Sequence, residues 1–258
     1  MSESNCLQIA RELVRIPSVN PDYDPESPAE GNVARWIAAW AKAHSLECDE
    51  QPALEGRSNL ILRVRNGADH PHVHLNGHMD TVAVDGMTID PFGGEVREGR
   101  LWGRGSADMK GPLACMLSAA LELRDDPQSW RGTLSVGCMV DEETRFRGVK
   151  HMLQNNELPD FAIVGEPTGL RVVRGCKGCL RFGVVTRGRS AHSSRPDEGR
   201  NAIAAMARVI PAIESFFCEE LSRTNDANFG PSTGSIGVIE GGSGANIVPE
   251  ECRIQFDI

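Results

Sequence analysis

A chain of 258 residues, 40% hydrophobic and 24% charged, is long enough for one or two buried cores and has a folded rather than disordered composition. Its 36 acidic against 27 basic residues leave a formal charge of -9, a field that repels phosphate and argues against nucleic acid or an anionic membrane as partner. No apolar run is long enough to cross a bilayer, and the first residues lack the basic start and apolar stretch of a secretory signal, so a cytoplasmic protein is expected.

The predicted elements begin with an amphipathic helix in "MSESNCLQIARELVRIPSVNP", stopped by Pro17. In "VARWIAAW", Val33, Trp36, Ile37 and Trp40 recur at helical spacing, so one face is buried. "NLILRV" (59–64) and "HVHLNG" (72–77) read as strands. "GPLACMLSAALEL" (111–123) reads as a helix with Pro112 near its first turn, where a missing N–H costs nothing. A strand follows at 132–140, a helix at 147–156 and another strand at 161–165. Such alternation implies α/β architecture with a mixed or largely parallel sheet flanked by helices. Near residue 175 the pattern changes to strand (178–188), helix (201–217), strand (233–239) and strand (252–258), which suggests a second, α+β unit. The expected domains are therefore 1–174 and 175–258.

Eight cysteines occur singly at 6, 48, 115, 138, 218 and 252, with one Cys176-Lys177-Gly178-Cys179 pair. A zinc ribbon needs a second such pair, and a redox pair belongs at a strand-to-helix turn, whereas this one leads into a strand. Coincidence is the simpler reading, and reduced thiols fit a cytoplasmic chain.

Polar residues that could carry chemistry cluster at strand ends, where loops of α/β sheets build sites. They are His78 and Asp80 in "LNGHMDTV", Asp108 in "GRGSADMKG", Asp141, Glu142 and Glu143 in "VDEET", and Glu166 in "VGEPT". Taken singly, each has a duller explanation. His78 could be a satisfied buried histidine, Asp108 a helix cap, the two glutamates a solvated helix start and Glu166 plain loop. Their shared placement favours a site. One histidine with several carboxylates suits zinc, cobalt or manganese. In that setting Asp80 would accept a hydrogen bond from the second ring nitrogen of His78. Adjacent Glu142 and Glu143 cannot point the same way from extended backbone, so one can hold a metal while the other faces substrate. Gly103-Arg104-Gly105 lacks the remaining spacing of a dinucleotide loop, and neither a phosphate loop nor a nucleophile elbow is present.

These motifs, with "DPFGGEVREGRLWGRGSADMKG", "GRSAHSSRPDEGRNAI" and "GGSGANIVPEECRIQFDI", resemble the dinuclear-metal amidohydrolases that include acetylornithine deacetylase, succinyl-diaminopimelate desuccinylase, aminoacylase and carboxypeptidase G. The resemblance implies a zinc-peptidase-like catalytic domain, an incomplete ferredoxin-like lid from about 175, and two divalent metal ions, zinc by preference. It implies that His78 and Glu166 hold one ion, that Asp108 bridges both and that Glu143 holds the other. Glu142 would be the general base and Asp80 would orient His78. His192 would steady the developing oxyanion, commonly across a homodimer formed through the lid, and Asn246 would lie near substrate. The implied substrate is a small N-acyl amino acid, cleaved at its amide. A carboxypeptidase- or dipeptidase-like reaction and a truncated, inactive binding relative are the alternatives. Relatives continue past "FDI" to a substrate-binding arginine and a further metal-binding histidine, so the chain is expected to be a fragment.

Overall fold

Periods of hydrophobicity become elements in the computed structural model, which describes residues 5–155 and 158–258. The start of the expected first helix at 1–4 and its counterpart's last position at 156 lie outside the described residues. The chain divides into two units, Met1–Arg171 and Val172–Ile258.

The first unit is built on a sheet of five strands: β1 (Glu47–Leu54), β2 (Arg57–Asn66), β3 (His72–His78), a separate hairpin of β4 (Glu95–Arg97) and β5 (Arg100–Trp102), then β6 (Gly132–Met139) and β7 (Phe161–Val164). The order across the sheet is β1-β2-β6-β3-β7. β3 runs parallel to both β6 and β7, while β1 and β2 join antiparallel on the other side. The sheet is therefore mixed, with its parallel part at β6, β3 and β7.

Side-chain alternation explains how this sheet is covered. Leu60, Leu62 and Val64 of β2 and Leu134, Val136 and Cys138 of β6 turn to one face. There they bury α1 (Asn5–Arg15), α2 (Gly31–Ala43) and α3 (Lys110–Asp125) through Leu13, Ile37, Leu113 and Leu117. Each such aliphatic side chain contributes roughly 1.5–3 kcal/mol on burial. On the other face Ile61 and Met139 meet Met152 of α4 (Arg147–Asn155). Every residue of β6 is buried, which fixes it as the central strand. β7, at the edge, leaves Phe161 and Ile163 exposed.

In the second unit β8 (Arg181–Arg187) is followed by a short β9 (Ala191–His192), α5 (Ala202–Glu219), the small pair β10 (Asn225–Asp226) and β11 (Gly230–Pro231), then β12 (Ser235–Gly241), β13 (Ile247–Val248) and β14 (Glu251–Asp257). β12, β14 and β8 form an antiparallel sheet in that order. α5 packs on it through Ala202 and Met206 against Cys252 and Ile254. The Asn201 side chain accepts the Ala204 amide at 2.8 Å and so starts that helix. Among the described residues no helix is long and apolar enough to cross a membrane.

Candidate metal centre

The site grows from the carboxyl ends of the parallel strands. His78 closes β3, Glu142 and Glu143 follow β6, and Glu166 follows β7. Asp108 comes from the loop before α3. That loop needs its glycines at two points. Gly105 sits at φ +80°, and a Cβ on Gly111 would stand 2.2 Å from the Ser106 carbonyl oxygen. The peptide bond after Asp108 is cis. Asp108 does not cap α3, whose start carries no side-chain cap; its carboxylate turns to His78 instead. Nor do Glu142 and Glu143 open a helix, since α4 starts at Arg147.

His78 is 1% exposed and stands at the centre. Its Nε2 is 3.1 Å from Asp108 Oδ1, 3.6 Å from Glu142 Oε2 and 3.8 Å from Glu166 Oε1. Donor atoms of His78, Glu142 and Glu166 all lie within 4.8 Å of one another, as do those of His78, Asp108 and Glu143. The two adjacent glutamates thus project into different groups. The predicted residues at 78, 108, 142, 143 and 166 are brought together from four separate segments.

Asp80 does more than sit behind the histidine. The acceptor nearest to His78 Nδ1 is the Asp80 backbone carbonyl at 2.9 Å, and the carboxylate oxygen lies at 3.4 Å. The carboxylate accepts the Glu142 and Glu143 amides at 3.1 Å each and the Asn20 side-chain amide at 2.7 Å. Asp80 therefore fixes the backbone turn that presents both glutamates.

A buried network below extends that support. Asn20 also reaches Asp141 at 3.2 Å. Asp141 adopts φ +63°, unusual for a residue with a side chain. It is held there by Arg57, Arg147 and Thr144, while Glu30 takes the Asp141 amide and pairs with Arg57. Asp141, a candidate on sequence, is therefore a structural anchor beneath the turn. Asn20, Glu30, Arg57 and Arg147 carry no local sequence signal; their partners are mostly tens of residues away.

The electrostatics show what the cluster lacks. Burial pushes Glu142 up to about 7 despite the neighbouring His78, and Glu166, Asp80 and Asp108 add to the rise. Burial likewise pushes Glu143 up to about 7, with Asp108 and Asp80 adding to it. Glu166 is raised in the same way. Burial would lower His78, yet its hydrogen bonds to Asp108 and Asp80 carry it to about 11. The ion pairs found for Asp108, Glu142 and Glu166 are all to this one imidazole. One nitrogen donor shared among four clustered carboxylates is a donor set that divalent cations fit. Beside it opens a cavity of about 190 Å³, lined in part by Asn76, Met139, Phe146 and Val149.

His192 and Asn246 belong to the second unit. There β9 pairs with β13, and the Ser193 amide donates to the Asn246 carbonyl at 3.0 Å. The His192 ring is exposed, with Nδ1 2.8 Å from the Ser194 hydroxyl.

Comparison with known proteins places this geometry. The chain is 33% identical over 258 residues to an acetylornithine deacetylase of Proteus mirabilis (strain HI4320), covering 98% of this chain and 66% of that protein. A succinyl-diaminopimelate desuccinylase of Parvibaculum lavamentivorans is 30% identical, over 98% of this chain and 65% of that one. The chain thus spans about two thirds of the length of these curated relatives. Among solved structures, a metallo-carboxypeptidase from Sulfolobus solfataricus shares the fold at a TM-score of 0.77 with 17% identity, over 99% of this chain and 71% of that chain. The sequence pattern of peptidase family M20/M25/M40 matches residues 74–251, which take in every member of the cluster from His78 to Glu166, and the chain belongs to that family.

Proposed function

We propose that the chain hydrolyses the amide bond of small N-acyl amino acids with two divalent cations, zinc by preference, as in the acetylornithine deacetylases and desuccinylase to which it is similar. The observation that carries this reading is the convergence of Asp108, Glu142, Glu143 and Glu166 on one buried imidazole, which among the described residues is the ion-pair partner found for Asp108, Glu142 and Glu166. His78, Asp108, Glu143 and Glu166 are assigned as ligands. When bound, the cations supply Lewis acidity, which polarises an amide carbonyl and acidifies water.

The chain's own residues do the rest. Glu142 faces the cavity beside His78 and takes the proton of the attacking water at its carboxylate. It then delivers that proton to the leaving amine nitrogen. A carboxyl group raised towards neutrality suits both halves of that transfer. Asp80 keeps Glu142 and Glu143 in register through their amides and leaves the free ring nitrogen of His78 pointing at the carboxylates. His192 is assigned to the developing oxyanion and Asn246 to substrate. The exposed apolar side chains Val238 and Ile239 on edge strand β12 support homodimer formation through the second unit.

Glu142→Gln tests the reading. It keeps the shape of the side chain and removes the base. Turnover of N-acetylornithine and N-succinyl-diaminopimelate should fall by roughly 10²–10⁴-fold, with metal content unchanged. Full activity in this variant would dismiss Glu142 as the base.

A further inference from the structure

Read along the sequence, Cys6 and Cys115 are two of the scattered single cysteines. In the fold they meet. Cys6 lies on α1 and Cys115 on α3, and their sulfur atoms stand 3.3 Å apart. The two helices share the core beneath them, with Ile9 and Leu13 packed among Leu113, Ala114 and Leu117. Cys115 is exposed and Cys6 half-buried, and both are free thiols. A disulfide bond is about 2.05 Å long, so closing the gap asks for side-chain rotation and a small adjustment between two helices already in contact.

We propose that Cys6 and Cys115 form an oxidation site, at which a peroxide converts the two thiols to a disulfide that ties α1 to α3. The exposed Cys115 meets the oxidant first. Burial and the contact with Cys115 push the Cys6 thiol up to about 12, so Cys6 keeps its proton and acts second. The Cys115 thiolate attacks a peroxide oxygen, the O–O bond breaks, and a sulfenic acid forms as hydroxide leaves with a proton as water. The Cys6 sulfur then attacks the Cys115 sulfur. The S–O bond breaks, the S–S bond forms, and the departing hydroxide takes the Cys6 proton as a second water. Two thiols lose two electrons in all and one peroxide becomes two waters. The link would span 109 positions of the chain, a long loop whose closure restricts the unfolded state. None of this depends on the proposed hydrolysis.

The test is to treat the folded chain with hydrogen peroxide, digest it without reductant and map the linked peptides by mass spectrometry. The expected product joins Cys6 to Cys115, and thermal melting shifts upward by several degrees, reversibly with dithiothreitol. In Cys6→Ser the shift should vanish and a dimedone-reactive sulfenic acid should accumulate at Cys115. Cys115→Ser should give neither the link nor the adduct. Wild-type peptide maps decide the matter even if a variant folds poorly. Cys115 ending as sulfenic or higher acid without a link, Cys6 joined to another cysteine, or equal linking in urea would each overturn the proposal.

Discussion

Asn20 and Asp141 show how much a single polar side chain can hold in this structure. Asn20 bridges two buried carboxylates, at 2.7 Å to Asp80 and 3.2 Å to Asp141. Asn20→Leu leaves both short of a donor, which should cost roughly 1–3 kcal/mol in urea unfolding. Because Asp80 in turn holds the Glu142 and Glu143 amides, the same change should weaken zinc binding roughly 10–100-fold in competition with a chelator. Asn20→Asp, adding a third carboxylate, should be worse. Asp141 makes a sharper pH prediction. Burial would raise its carboxyl, but Arg147, Asn20 and Arg57 outweigh that and hold it at about 2, against 3.8 for an ordinary aspartate. Its folded value lies below its unfolded one, so the unfolded chain takes up the proton first as pH falls. The contribution, about 2 kcal/mol, is complete above the unfolded value and is lost between roughly pH 4 and pH 2. Asp141→Asn should therefore be less stable than wild type at pH 7, and the two unfolding curves should approach each other below pH 4. A constant gap across that range would refute the assignment.

At the scale of elements, α3 and the loop before it are the most exacting piece. The Gly111 position lies so close to the Ser106 carbonyl that a methyl group must move the loop carrying Asp108 or the first turn of the helix. Gly111→Ala should lower the melting temperature by an amount corresponding to roughly 1–3 kcal/mol and reduce metal retention together with it. This scale also shows what the sequence could reveal. Helices α1, α2 and α3 and strands β2, β3 and β6 were legible because each buries one face or is buried throughout, so apolar spacing reports the period. β1 was not. Glu47, Asp49 and Glu50 lie on an edge strand with mostly exposed or half-exposed side chains, and Pro52 breaks the pattern further. The hairpin of β4 and β5 is too short for any period, and its residues are mostly exposed.

Across the whole molecule, His78, Glu142, Glu143 and Glu166 were legible because each stands where a sheet strand ends, a place that sequence periods can mark, whereas Asp108 stands in a glycine-rich loop just ahead of α3 rather than at a strand end. Their supports were not legible, because Asn20, Glu30, Arg57 and Arg147 act through contacts that only folding makes. Asn20 lies 121 positions from Asp141, and Glu30 lies 111 from it. Every role assigned to these residues requires that the gathered charge hold cations. Metal analysis of the folded chain after zinc loading and desalting measures that directly. About two ions per chain are predicted, with the number falling in His78→Ala and in Asp108→Ala while both variants stay folded by circular dichroism. A chain that retains no zinc, or that retains the same amount in both variants, would contradict it.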